Sequence, residues 1–265
     1  MSRVSIIMGV YNCASTLKEA IDSLYAQTFQ GFDVIICDDG SSDETYSVAE
    51  RYTERFNNIV LLKNSVNQGL NSTLNRCLDV ATGDYIARMD GDDISAPSRL
   101  EIEVNFLDSH PEYAIVSAPM YYFDEEGVFA KGSGHGEPRI KDFAKGTPFC
   151  HAPCMVRREA YEKVGGYTED KRLLRVEDYH LWIKMYVAGY RGYMLREPLY
   201  YMRDDRNAAH RRSWKNRINE VYVRHLAIHD LGLPIYNYVH CLKPLVLGLL
   251  PTPVYSSLRK KRMSK

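Results

Sequence analysis

A net charge is missing from this sequence: 34 Lys and Arg stand against 34 Asp and Glu in 265 residues. Nothing in that balance announces a polyanionic partner, and no nucleic acid is expected. Cysteine is sparse, and its six positions (13, 37, 77, 150, 154 and 241) fall in unrelated stretches. That spacing argues against a disulfide scaffold or zinc ribbon and fits a reduced, cytoplasmic protein. Signal-peptide character is absent as well, because Met-Ser-Arg runs straight into an apolar strand. The turn after that strand is GVYNCAST, not the Gly-rich dinucleotide fingerprint, and no GxxxxGK(S/T) loop occurs. Dehydrogenases and P-loop NTPases are set aside on that ground. Internal repeats and low-complexity tracts are also lacking.

What is present is a globular body, 45% hydrophobic and 26% charged, long enough for one large α/β domain with an appendage. Short apolar runs alternate with helical patterns. VSIIMGV (4–10), DVIIC (33–37), IVLLK (59–63) and YIARM (85–89) read as strands, with helices from Thr16, from about Asp43, from about Leu70 and after Pro97. Ser42 or Asp43 is placed to cap the second helix, and Pro97 suits a first helical turn. Four successive βα units predict a parallel sheet with helices on both faces. Farther on, AIVSAPMYYF (114–123) reads as a strand and 131–148 as an irregular loop bordering a site. Helices are expected at 158–164, 178–188 and 213–229. Residues 235–258 are apolar and aromatic but broken by His240, Lys243, Pro244, Pro251 and Pro253, so they suit a docked or surface-lying segment better than a spanning helix.

In an open parallel sheet, ligands bind outside the carboxyl ends of the strands. The residues following the four strands are Tyr11 and Asn12; Asp38 and Asp39; Asn64 and Asn67; and Asp90, Asp92 and Asp93. Five carboxylates on one edge repel one another unless a cation or hydrogen-bond donors offset them. Asp and Gly are also ordinary turn and cap residues, but their joint placement makes the edge a candidate cation and nucleotide site. Asp90-Gly91-Asp92 sets two carboxylates one residue apart, spacing that suits Mg²⁺ or Mn²⁺ together with diphosphate oxygens.

The set SIIMGVYN, CDDGSSDET, Asn67–Gly69, ATGDYIARMDGDD and VEDYHLW, in that order over residues 4–182, resembles the family 2 glycosyltransferases of the GT-A fold. The likeness is strongest to bacterial exopolysaccharide and capsule enzymes. It implies a Rossmann-like, mostly parallel central sheet with a helical C-terminal extension. The catalytic domain would cover 1–205, with a nucleotide-binding half at 1–110 and an acceptor half at 111–205, and the extension 206–265. The implied activity is metal-dependent, inverting transfer of a sugar from a UDP-sugar to an acceptor hydroxyl. Donor binding falls to Val10, Tyr11, Asn12, Asp39, Asn67, Gly69 and Asp90, with Tyr11 packing on uracil and Asp39 accepting its N–H. Asp90 and Asp92 would meet the metal, and Asp178 of the Glu177-Asp178 pair would be the general base. That pair also suits a helix N-terminus, where carboxylates are favourable.

Cys150, His151 and Cys154 lack a matching second cluster for zinc, and His151 is expected to line the acceptor side. Arg203, Arg206, His210, Arg211 and Arg212 form a basic run that either approaches the diphosphate under a lid or stays solvated. A lipid-linked saccharide is the implied acceptor. Arg259, Lys260, Lys261 and Arg262 after the apolar segment suit peripheral binding to the anionic inner face of the cell membrane. A sugar-1-phosphate nucleotidyltransferase would carry a Gly-rich basic loop after the first strand, which GVYNCAST is not. A nucleotide-sugar-binding interaction protein with little or no catalysis remains the alternative function.

Overall fold

The computed structural model describes residues 2–204 and 213–250. The first half runs β1 (Val4–Val10), α1 (Ala14–Tyr25), β2 (Phe32–Asp38), α2 (Thr45–Thr53), β3 (Ile59–Lys63), α3 (Leu70–Leu78), β4 (Tyr85–Arg88), β5 (Ile94–Ser95) and α4 (Arg99–Ser109). The second runs β6 (Ile115–Ser117), β7 (Met120–Asp124), β8 (Gly127–Lys131), β9 (Met155–Arg157), α5 (Arg158–Val164), α6 (Glu177–Val187), β10 (Gly192–Met194), β11 (Tyr200–Arg203), α7 (Trp214–Asp230) and α8 (Leu242–Leu249).

Seven strands form the central sheet in the order β10-β6-β9-β4-β1-β2-β3. All are parallel except β9, which runs antiparallel to both β4 and β6. The central strands are covered on both faces, which is why they read as continuous apolar runs. Ile6, Met8, Val34 and Ile36 pack with Leu17, Ile21 and Leu24 of α1 and Val104 of α4. Ile7, Ile35 and Ile86 turn the other way, onto Leu74 of α3 and Trp182 of α6. The order puts β1 between β2 and β4, so the ends of three strands rich in polar residues meet at one edge. Val223 and Ala227 of α7 join the second core, so the described part of the expected extension packs against the catalytic body.

Three local expectations change. The run 114–123 is two strands rather than one: β6 stays in the central sheet, whereas β7 enters a second, four-stranded sheet of order β5-β11-β7-β8. Pro119, with no N–H to give a ladder, falls at the switch. The expected cap at Ser42 or Asp43 precedes a helix that starts at Thr45, although the Asp43 carboxylate accepts the Thr45 N–H at 3.0 Å. Pro97 stands before Ser98, the residue preceding α4, rather than in its first turn. The loop at 131–148 contains a 3-10 turn over Ile140–Ala144, and Gly136 bridges Met194.

Behind β4 lies an ion pair with no exposed surface. Arg99 and Glu103, one helical turn apart on α4, meet at 3.2 Å with both side chains 0% exposed. Arg99 also donates to the carbonyls of Arg88 at 2.9 Å and Cys154 at 3.2 Å, and its guanidinium lies 5.2 Å from the Tyr200 ring centroid. This residue therefore ties α4, β4, the turn before β9 and β11 together. Removing one partner of a buried pair leaves an uncompensated charge, so Arg99→Met is expected to cost about 3–5 kcal/mol of stability in urea unfolding. The paired change Arg99→Met with Glu103→Leu should recover most of that loss, and a double variant as unstable as the single one would contradict this account.

Candidate active site

Each loop on the carboxyl edge is held by its neighbour. After β1, Asn12 takes a φ of 48° and donates its N–H to Ser41 at 2.9 Å, while its side-chain oxygen accepts the Ser42 N–H at 2.9 Å. Cys13 N–H reaches Thr45 Oγ1 at 2.8 Å and Ala14 N–H reaches Asp43 at 3.1 Å. After β2, Gly40 takes a φ of 71°, and a Cβ there would stand 2.8 Å from the Val66 carbonyl carbon in the loop after β3. Only glycine allows both that conformation and that approach.

Asp39 is buried and accepts three hydrogen bonds, from Asn64 Nδ2 at 2.7 Å, Gln68 N at 2.8 Å and Gly69 N at 2.9 Å. It thereby satisfies N–H groups at the start of α3 that the helix cannot. Val10 is buried, and its carbonyl accepts the Asp39 N–H at 2.8 Å. Tyr11 and Asn67 are exposed beside it. The residues expected at the donor thus do meet on one edge, but Asp39 spends much of its acceptor capacity on the loop that carries Asn67 and Gly69.

The Asp90–Asp93 turn divides its carboxylates. Asp90 faces Arg88 through both oxygens, one at 2.9 Å. Asp93 is buried and accepts the Arg203 N–H at 2.8 Å; desolvation, then Asp90 and Asp92, push its pKa up. Asp92 is exposed, and its carboxylate accepts no hydrogen bond from another residue among those described. Crowding by surrounding protein, followed by repulsion from Asp90, still raises its pKa. Gly91 lets the turn sit tight, since a Cβ would fall 2.8 Å from Cys13 Sγ. From β11, the Tyr200 hydroxyl accepts the Asp90 N–H at 3.1 Å and Arg203 donates to the Asp92 carbonyl at 2.9 Å. Arg203 also pairs with Glu19. It is therefore fixed in a strand, while Arg206, His210, Arg211 and Arg212 lie outside the described residues.

Across the edge, α6 begins at Glu177. Asp178 is half-buried, and its pKa is pushed up to about 7, first by desolvation and then by Glu177. The Tyr179 N–H and the charge of Arg88 oppose that rise. Arg88, buried in β4, thus binds the Asp90 carboxylate directly and favours the ionised Asp178 carboxylate through its charge. Among the described residues, Glu177 Oε2 and Asp38 Oδ1 are buried without a hydrogen-bond partner. His151 Nε2 meets the Tyr167 hydroxyl at 2.7 Å, and burial keeps the imidazole neutral. Burial, and after it the charge of Asp178, pushes the Cys150 thiol up. Arg88, Tyr200 and Tyr167 were not singled out from sequence. Their roles depend on β9, β11 and α6 arriving from far along the chain, and no local pattern marks them.

A divalent cation would find hard oxygen ligands here but too few. Asp90 is committed to Arg88, Asp92 is the freer carboxylate, and no group of three or more His, Cys, Asp or Glu among the described residues is arranged to hold a metal. The donor set fits a cation that arrives with, and is completed by, a diphosphate. A recess of about 480 Å³ between Glu137–Ile140 and Tyr186–Arg191 lies at the other end of α6 from Asp178 and holds none of these carboxylates.

The protein-family model for Glycosyl transferase family 2 matches residues 5–165. The protein named as a glycosyltransferase, EpsE of Bacillus subtilis (strain 168), is 42% identical over 262 residues, 98% of this chain and 94% of its own length. An Escherichia coli protein named UDP-Glc:alpha-D-GlcNAc-diphosphoundecaprenol beta-1,3-glucosyltransferase WfaP is 25% identical over 91% of this chain and 92% of its own. Among solved structures, Staphylococcus aureus TarS in complex with UDP superposes with a TM-score of 0.70 at 20% identity, covering 92% of this chain and 71% of that one. The mannosyltransferase PcManGT from Pyrobaculum calidifontis, in complex with GDP-Man and Mn²⁺, gives 0.67 at 23% identity over 97% and 73%. These two share the GT-A fold with this chain. A family match over more than half of the sequence, joined to a relative of 42% identity along nearly all of it, establishes that this chain belongs to glycosyl transferase family 2.

Proposed function

We propose that this glycosyltransferase moves a sugar from a UDP-sugar to a hydroxyl of a lipid-linked saccharide, with inversion, during exopolysaccharide synthesis. The observation that carries the reading is the convergence of Asp92, the Asp90–Arg88 pair and Asp178 on the edge where Tyr11 and Asn67 stand exposed. The naming of WfaP for a diphosphoundecaprenol-linked acceptor, and of TarS for bound UDP, supports the choice of acceptor and donor. Peripheral placement on the inner face of the membrane follows from such an acceptor.

Tyr11 offers an aromatic face to the uracil ring, and Asp39 retains acceptor capacity for the uracil N–H beside its three internal bonds. Asp178, ionised, accepts the proton of the acceptor hydroxyl as that oxygen bonds to the anomeric carbon and the bond to the UDP oxygen breaks. A single displacement of this kind inverts the configuration. Asp92, with Asp90 at a second remove, would hold Mn²⁺ or Mg²⁺ jointly with the diphosphate; once bound, the cation offsets charge on the departing UDP. The presence of Mn²⁺ in the PcManGT complex supports that assignment. Arg88 keeps the Asp90 carboxylate in one orientation and lowers the cost of ionising Asp178.

Three measurements follow. Asp178→Asn should leave UDP affinity nearly unchanged and lower turnover by at least about 10²-fold, the lower end of general-base catalysis; turnover near that of the parent would place the base elsewhere. Since a pKa near 7 keeps Asp178 protonated below that pH, kcat/KM should fall as pH drops through about 7. Glu177→Gln removes a negative neighbour and should carry this acid limb to lower pH; a stationary limb would dissociate it from Asp178. For the metal, Asp92→Asn should weaken UDP binding in calorimetry with Mn²⁺ and hardly alter it in EDTA, whereas equal losses in both would exclude a metal-mediated role.

A further inference from the structure

Residues 231–265 contain no Asp or Glu but hold six of the 34 Lys and Arg: Lys243, Arg259, Lys260, Lys261, Arg262 and Lys265. A neutral chain is therefore divided, with +6 on this stretch and 28 cations against 34 carboxylates, or −6, on the rest. The described part of the stretch is a 3-10 segment over Ile235–Cys241 running into α8. One side of it is docked. Asn237, Cys241 and Pro244 are buried, and a Cβ on Gly248 would stand 3.2 Å from the Trp214 ring of α7.

The other side is apolar and faces water. Ile235, Tyr236, Val239, Leu242, Val246 and Leu249 are all exposed, Ile235 at 84% and Leu249 at 73%. Within α8, Leu242, Val246 and Leu249 repeat at intervals of 4 and 3, the spacing of a stripe along one helical face, and Ile235, Tyr236 and Val239 of the 3-10 segment add exposed apolar surface just before it. A contiguous exposed row of this kind marks an interaction surface. Charge selects the occupant. Two copies meeting symmetrically through this face would set one +6 stretch against another. A surface that is both apolar and anionic satisfies the row and the cations together, and a lipid headgroup layer is such a surface. Tyrosines such as Tyr236 are favoured at that depth. Spanning is not required, and no described helix is long and apolar enough for it.

We infer that the Ile235–Leu249 face, with the cations that follow it, docks this glycosyltransferase on an anionic membrane surface, its apolar row seated among the headgroups. The docking face is joined to the chemistry: α7 packs on α6, and Asn219 of α7 donates to the Leu174 carbonyl at 2.9 Å, three residues before Glu177. The inference rests on the lipid-linked acceptor proposed above, but it is tested without donor or acceptor, so failure of the transfer reading and failure of docking are told apart.

The full chain is sedimented with vesicles of phosphatidylcholine containing 30% phosphatidylglycerol, and with phosphatidylcholine alone, at low and high salt. Partition to the anionic vesicles is expected to exceed that to the neutral ones by at least about tenfold and to fall with salt. Val239→Ser, Leu242→Ser and Val246→Ser combined should lower it at least about tenfold, while far-ultraviolet circular dichroism, UDP affinity and turnover on a soluble acceptor stay unchanged. If that variant fails to fold, Leu249→Glu alone serves, because its side chain is already largely in water. Replacing Arg259, Lys260, Lys261 and Arg262 with Ser should abolish the salt dependence. Equal binding to both vesicle types, undiminished binding by either variant, or a parent dimer that the triple change converts to monomer would each overturn the inference, the last by making a second copy the occupant.

Discussion

The charge on which the site depends is the buried guanidinium of Arg88. Parallel strands bring Asp38, Asp39, Asp90, Asp92 and Asp93 to one edge, and α6 adds Glu177 and Asp178. Carboxylates gathered this way titrate upward or fly apart unless a positive charge is supplied from within. Arg88 supplies it at the end of β4, binding Asp90 and easing the ionisation of Asp178. Behind it, Arg99 holds the Arg88 carbonyl, and Glu103 neutralises Arg99. Charge therefore alternates from the site into the core, and the buried pair is better understood as support for the site than as a source of net stability.

The sheet was legible because its central strands are covered on both faces and therefore appear as apolar runs, with β1 read to the residue, and the partly buried edge strand β3 keeps enough apolar character to be read to the residue as well. The same signal misled at 114–123. Apolarity is continuous across Pro119, and only the partners of β6 and β7, one in each sheet, reveal that the chain changes layers there. In the site, the carboxylates were legible because their spacing after strands is local. Arg88 was not: within YIARM it is one polar residue in a strand, and its meaning comes from Asp178, ninety positions later. Tyr200, which receives the Asp90 N–H, is a strand tyrosine by any local measure.

Asp39 shows how two readings of one residue can hold together. As a turn residue it caps the chain entering α3 through Gln68 and Gly69, and as a site residue it stands beside exposed Tyr11 and Asn67. Its internal bonds fix its orientation before any ligand arrives, and the Asn12–Ser41 and Gly40–Val66 contacts do the same for the flanking loops. A site held this way pays its ordering cost on folding, leaving less to be lost on binding.

The tuning of Asp178 follows from a contest between two local fields. Its place in the first turn of α6 favours the carboxylate, since the helix N-terminus is positive, but that effect is worth about 0.3–1 kcal/mol, less than one tenfold step in ionisation. The rise from 3.8 to about 7 spans some three such steps, so desolvation in the crevice and the charge of Glu177 prevail over the dipole and Arg88 together. Glu177 itself has a buried oxygen with no partner among the described residues. That value suits the general base proposed above: a carboxylate left at 3.8 would be always ionised and weakly basic, and one raised well beyond 7 would be protonated when needed. Crevice burial provides the basicity, and Arg88 keeps it from rising past the range in which the base form is populated.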